Sequence, residues 1–276
     1  MPIDTAKTSM DETHTNTLTK GIVAKSTAVV LTVSMSIAAA LTPGKTLAAS
    51  NSARALENPL VPFSATYRIG NNVVHAGNAR VELEQREDDE WHYSLSTKPT
   101  GLFKLAGKGY VTESSTFSVI DDNNQSILEP KSYKFRQDNE NKRAIDATFN
   151  WGQMQLYFSR GADNKQTTLS AATLDRMTMI LTLMSTLKVD FESFTLEVFD
   201  GGRIKQLQIA NEGTEILTTS LGALEAVRVK TSNVESSRRA TVTWFAPALN
   251  NLPVQIEQHK DGKLVARLSV SDYTQQ

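Results

Sequence analysis

From Phe63 onward the chain alternates apolar and polar residues in short runs punctuated by turn residues. Phe63, Ala65, Tyr67 and Ile69 alternate with polar neighbours and stop at Gly70, Asn71 and Asn72. Ala79, Val81 and Leu83 alternate before the acidic turn Glu87 to Glu90, and Trp91, Tyr93 and Leu95 follow it. A period of two puts successive side chains on opposite faces, so each run predicts an antiparallel strand with one face on a core and the other in water. The pattern returns from Tyr110 to Phe117. It returns again in a hairpin that opens at Tyr133 and Phe135, turns at Gln137 to Asn141 and places Ile145, Ala147, Phe149 and Trp151 on one face. Met154, Leu156 and Phe158 pair back after a turn at Gly152. Further runs include Phe194 to Val198, Leu207 and Ile209 after the Asp200-Gly201-Gly202 hairpin signal, Val227 and Val229, Ala240 to Trp244, Val254 and Ile256, and Leu264 to Val270. The pattern predicts about eleven to thirteen strands. An open sheet that long must curl or split into two packed layers.

One stretch breaks the period. Leu174, Met177, Ile180, Leu181, Met184 and Leu187 recur at helical spacing, which predicts a helix over Thr173 to Leu187 with Thr173 as N-cap, Asp175 in the first turn and Lys188 after the last. No charge lies between Arg176 and Lys188, and the back of the helix is Thr and Ser, so protein should enclose it on most sides. Burying six such side chains contributes about 10 kcal/mol, which outweighs the weak helix propensity of threonine. The uncharged run from Met177 to Leu187 is too short for a membrane span of about 20 residues.

Ahead of the strands, a polar segment containing Lys20 and Lys25 leads into the uncharged apolar run Ser26 to Leu41, a Pro43-Gly44 break and the small residues of TLAAS. That order is a secretory signal, so residues 1–49 are expected to be removed near Ala48 or Ala49 and the product to enter the periplasm. A permanent N-terminal anchor is the alternative; after cleavage no transmembrane span is expected. Residues 50–61 then form a short segment, and 62–273 one β-rich domain. There is no cysteine, which rules out lipoprotein attachment, disulfides and thiolate metal sites. With 29 Lys and Arg against 30 Asp and Glu, charge gives no reason to expect nucleic acid or acidic lipid as a partner.

Known chemistry is largely missing from the motifs. There is no nucleophile elbow, zincin pair, phosphate loop or dinucleotide fingerprint, and no cofactor is expected. His75, His92 and His259 are widely separated and fit surface positions better than a metal or triad site. Asp121 to Asn124 lacks the central Gly and closing Glu of a calcium loop and is a turn, so no metal site is expected. Arg238 and Arg239 make a pair, not a patch. The loop PTGLFKLAGKGY carries Leu102, Phe103 and Leu105, which either cap the core or guard a ligand entry.

Several stretches, taken in order, resemble a family. LEPKSYKFR, the FNW of Phe149 to Trp151, LDRMTMILTL on the helix, TSLGALEAVRV around Gly222 and TWFAPALNNLPVQIEQ are similar to the exported bacterial proteins grouped as domain of unknown function thirty-one-zero-eight, over roughly Pro62 to Tyr273. The family usually has Asp where this chain has Asn150. The resemblance implies a periplasmic β-rich protein and supplies no catalytic residue.

The expected architecture is mainly β: a large curved antiparallel sheet or half-barrel, or two packed sheets, with one buried helix. Such a shape resembles the half-barrel lipoprotein carriers of the same compartment, an analogy of fold and not of function. The first functional expectation is a non-enzymatic envelope protein that binds or carries a lipid-like ligand. Its candidate contacts are Leu102, Phe103 and Leu105 in the loop, Phe149, Trp151 and Phe158 on the aromatic wall, and Met177, Leu181 and Met184 on the helix. The same aromatic wall reads first as the surface against which the helix packs, and only second as a grip for an acyl chain or a ring. An envelope interaction module with a dry core, binding a protein partner, is the alternative, and an enzyme with an unrecognised site is the third.

Overall fold

A computed structural model describes residues 55–70, 74–101, 109–122, 124–187 and 191–276. The leader and the Leu102, Phe103 and Leu105 candidates therefore lie outside the described residues, as does Lys188.

Among the described residues fifteen strands form one sheet in the order β8-β7-β6-β5-β4-β3-β2-β1-β15-β14-β13-β12-β11-β10-β9. In chain order they are β1 (Phe63–Gly70), β2 (His75–Gln85), β3 (Glu90–Pro99), β4 (Val111–Asp122), β5 (Gln125–Gln137), β6 (Ile145–Asn150), β7 (Gln155–Arg160), β8 (Asp163–Thr168) and β9 (Leu174–Asp175). After the helix α1 (Arg176–Thr186) come β10 (Ser193–Phe199), β11 (Ile204–Thr219), β12 (Gly222–Asn233), β13 (Ser236–Ala246), β14 (Leu252–Lys260) and β15 (Lys263–Gln275). All pairings are antiparallel except β9 with β10. The two-layer alternative does not occur: the length of the sheet is accommodated by curling.

The alternation behaves as its period requires. Phe63, Ala65 and Tyr67 of β1, Ala79, Val81 and Leu83 of β2, and Trp91 and Tyr93 of β3 are all buried in one core. Two strands exceed the predicted count for physical reasons. The sequence of β8, DNKQTT, is almost entirely exposed and has no apolar face to announce it, while β9 is two residues long. A short polar edge strand also discourages further pairing at that end of the sheet.

The sheet curls until its two ends meet without a shared hydrogen-bond ladder. Phe199 at the end of β10 packs edge-on against Phe158 of β7 at 5.1 Å, Phe149 of β6 at 6.2 Å and Tyr133 of β5 at 6.0 Å between ring centroids. The turn between β10 and β11 lies against β7 as well, since a Cβ at Gly202 would sit 3.2 Å from the Arg160 side chain. Side chains therefore close the seam where the backbone does not.

Helix α1 starts later than predicted. Thr173 is not the cap; Asp175 is, its carboxylate accepting from the Met177 and Thr178 amides at 2.7 and 2.9 Å, while the Thr178 hydroxyl accepts from the Asp175 amide at 3.0 Å. The reciprocal capping box is the stronger arrangement, and it leaves Leu174 and Asp175 free to pair with β10. Met177, Thr178, Met179, Leu181, Thr182, Leu183 and Ser185 are buried, so the helix is enclosed as its lack of charge predicts. At its C-terminal end Asn251 donates to the Met184 carbonyl at 2.9 Å, and the Ser185 hydroxyl donates to the Asn58 carbonyl at 3.0 Å. The helix thus plugs the end of the curled sheet where the β13–β14 connection lies.

Candidate functional site

The opposite half of the interior is open. A cavity of about 430 Å³ lies between the N-terminal turn of α1 and the strands on the β1, β15 and β14 side of the sheet. Val81 of β2, Leu95 of β3, Met177, Met179 and Ile180 of α1, Leu207 of β11, Ile256 of β14 and Leu268 of β15 give it apolar walls. Strands β12, β13 and β14 add Thr231, Thr241, Thr243 and Gln258, side chains with no net charge. Tyr67 also lines it, its hydroxyl donating to the Pro253 carbonyl at 2.8 Å; burial pushes that phenol well above its ordinary range.

A buried charged cluster forms one boundary. Glu113 breaks the inward row Val111, Ser115, Phe117 of β4, and the period of two carries its carboxylate into the interior. Arg176, first residue of α1, grips it: Nε donates to Oε1 at 2.8 Å and Nη2 to Oε2 at short range. The Tyr133 hydroxyl donates to the same Oε1 at 2.7 Å. Burial alone would depress the Arg176 guanidinium, but the adjacent Glu113 charge, with Tyr133 and Asp200, holds it above its ordinary value. Beside it the buried Lys205 ammonium donates to Asp200 at 2.5 Å; burial lowers its pKa by more than Asp200 restores. Asp175 accepts from the Ser115 hydroxyl at 2.5 Å, and burial raises its pKa to about 6 against those hydrogen bonds. Glu113 with Arg176 and Asp200 with Lys205 pair their charges, while Asp175 is held by hydrogen bonds alone.

The rim differs from the floor. Arg143 follows β5, Arg239 lies in β13, and His259 and Lys260 end β14; all four line the cavity. Of the arginine pair, Arg238 turns to Asp261 at 3.1 Å, while Arg239 lines the cavity. His259 is not a plain surface residue either, because it lines the cavity and contacts Glu257 at 2.9 Å. His75 is exposed, and His92 is partly buried against Thr116. Among the described residues no group of three or more His, Cys, Asp or Glu is placed to hold a metal ion.

The candidate ligand contacts fall in three places. Met177 lines the cavity. Phe149 and Phe158 are buried in the aromatic cluster around Phe199, with Trp151 stacked on Phe149 at 6.0 Å and its indole donating to the Pro130 carbonyl at 2.7 Å. Leu181 is buried within the helix packing, and Met184 is half-buried toward the plugged end. Asn150 makes a turn, its side-chain oxygen accepting from the Gln153 amide at 3.0 Å.

Residues 63–269 match the family described as protein of unknown function, DUF3108. The chain belongs to this family. A beta-barrel-like protein of domain of unknown function DUF1849 from Brucella abortus shares the fold of this DUF3108 chain with a TM-score of 0.54 at 8% identity, over 79% of this chain and 98% of that one. Two weaker neighbours have TM-scores of 0.30. One is a protein from Bacteroides fragilis described as exported, with a YmcC-like fold, at 11% identity over 80% of this chain and 99% of that one. The other is in the MucA/MucB complex of Pseudomonas aeruginosa, at 10% identity over 82% and 53%. A search of curated proteins finds no match. Among the described residues no helix is long and apolar enough to cross a membrane.

Proposed function

We propose that this DUF3108 protein is a non-enzymatic protein of the periplasm that holds a hydrophobic, lipid-like ligand inside its curled sheet. The observation that carries the reading is the cavity of about 430 Å³, apolar on its walls and bordered by two buried ion pairs. Small-molecule sites span about 300–1,000 Å³ and are mostly apolar with a few placed polar groups, which is the composition found here. The leader pattern and the exported family it resembles support the location. Native mass spectrometry of protein purified from the periplasm tests the reading: a stoichiometric lipid mass that solvent extraction removes is expected, and an apo mass from gently prepared protein would overturn it.

One observation favours a second reading, an envelope interaction module. From Thr214 to Thr219 β11 pairs only with β12, and β12 meets β13 first at Val227, so a two-stranded ribbon runs past the ladders of β10 and β13, with Pro247–Leu249 beside β12 and the outer edge of β11 without a partner strand among the described residues. Ile216 on it is 73% exposed. An open edge and an exposed apolar residue suit a protein partner; cross-linking from position 216 in the envelope should then capture one, and Ile216→Lys should lose it.

A further inference from the structure

Charge does not single out a ligand for the cavity. Glu113 and Asp200 are taken up in ion pairs with Arg176 and Lys205. Where His259 and Lys260 line the volume, Glu257 contacts His259 and Asp261 follows Lys260, so both signs stand together. The neutral polar side chains are more selective. Thr231 of β12 lies directly across from Thr241 of β13, and Thr241 directly across from Gln258 of β14, which makes one row over three strands. Thr243 stands two residues along β13 on the same face, between Val229 and Ile256. All four line the cavity, and among the described residues none of their side chains hydrogen-bonds to another protein group. Thr243 is only 3% exposed. A buried hydroxyl with no protein partner costs stability, and valine, of nearly the same size, would fill that position without the cost.

Resting on the lipid-binding reading above, we propose that the ligand is a neutral amphiphile with one hydrocarbon chain and a hydroxyl-bearing head of the glycerol kind, the head seated inside against Thr231, Thr241, Thr243 and Gln258. A threonine hydroxyl donates and accepts, and a glutamine amide offers both an N–H and a carbonyl, so the row matches hydroxyl groups, which also do both. A carboxylate or an ester only accepts, and would leave part of the row unmatched. Beyond β14 the lining turns apolar, with Leu268 of β15, Val81 of β2 and Leu95 of β3, and the hydrocarbon chain runs that way. Polar strands on one side and apolar strands on the other give the cavity the two-ended character of an amphiphile.

The test compares monoolein, methyl oleate and oleate, which share a chain and differ in the head, by native mass spectrometry titration of the mature protein. Monoolein, with its free hydroxyls, is expected to bind at least about tenfold more tightly than methyl oleate, which has the ester alone, or than oleate. Thr241→Val with Thr243→Val should erase the preference while methyl oleate binding stays unchanged. Thr241→Ser with Thr243→Ser, which keeps both hydroxyls, should retain it. Because those hydroxyls hold nothing within the protein, the valine variant should have a thermal midpoint no lower than the parent's; a lower one would make the hydroxyls structural and overturn their role in binding. Methyl oleate or oleate binding as tightly as monoolein, or a preference that survives the valine pair, overturns the hydroxyl-bearing head and leaves hydrophobic binding standing. No binding of any probe overturns both.

Discussion

Arg176 and Glu113 lie 63 positions apart in sequence and meet through a hydrogen bond of 2.8 Å from Nε to Oε1, backed by a second between Nη2 and Oε2. The pair ties the first turn of α1 to β4, and it puts a cation at a helix N-terminus, where the macrodipole disfavours one unless a carboxylate faces it.

Removing one partner from a buried ion pair costs about 3–5 kcal/mol because the other is left uncompensated, whereas apolar replacement of both is far better tolerated. Glu113→Gln is therefore expected to lower unfolding free energy by that order, and Glu113→Leu combined with Arg176→Met to recover most of the loss. Equilibrium urea unfolding checks this. A double variant as unstable as the single would show that packing, not charge, sets the cost.

Asp175 makes stability depend on pH. Its pKa rises from 3.8 to about 6 on folding, chiefly through burial, so between those values the folded state holds more protons than the unfolded one. The resulting stabilisation is fully present below pH 3.8 and is lost as pH rises through about 6, a change on the order of 3 kcal/mol from this group. Asparagine remains a good N-cap and carries no charge. Asp175→Asn should therefore flatten this part of the profile and match or exceed the parent in stability at pH 7. Thermal unfolding from pH 4 to 7 compares the two, and parallel profiles would count against the assignment.

Phe199 is the hub on which the seam of the sheet closes, touching Tyr133, Phe149 and Phe158. Truncating a fully buried aromatic costs about 3–5 kcal/mol. Phe199→Ala should cost that much in urea unfolding and speed amide exchange in β7 and β10 ahead of β1 and β2, because no backbone ladder holds those ends together. Uniform acceleration across the sheet would refute the local role.

Ile256 is half-buried and lines the cavity. Ile256→Trp fills open volume without displacing packed neighbours, so it should weaken monoolein binding at least tenfold in native mass spectrometry while leaving the thermal midpoint within a few degrees of the parent. Unchanged binding would place the ligand elsewhere.

The alternation of Phe63 to Tyr67, Ala79 to Leu83 and Ala266 to Val270 made most of the sheet legible, because a buried face is written directly in a period of two. The helix was legible within three residues, since its missing charges require enclosure. The cavity was not: Thr231, Thr241, Thr243 and Gln258 are polar positions that the alternation leaves to solvent, and only the curl of the sheet gathers them around one volume. Asp200 looked like a hairpin-tip residue, yet it is buried against Lys205. Glu113 was the readable clue, an acid in phase with Val111, Ser115 and Phe117 on a strand whose other face is solvated. Arg143, Arg239 and Lys260 come from a turn and two strands, so composition could show only their number and not that all three line one cavity.

The sheet runs outward in both directions from the β1–β15 pair, where Gln276 donates to the Pro62 carbonyl at 3.0 Å. Every other strand pairs with a sequence neighbour, so two meanders can form from local contacts, and a single ladder spanning some 200 residues must join them. Contacts of such long range carry the largest loop-closure cost and come late in folding. A nascent chain lacking β15 would present β1 as an open edge at the middle of its sheet, the kind of surface that recruits other chains. Delivery of the thirteen residues of β15 is therefore the event that ends aggregation risk, and a chaperone guarding this protein before that moment would be expected to cover β1.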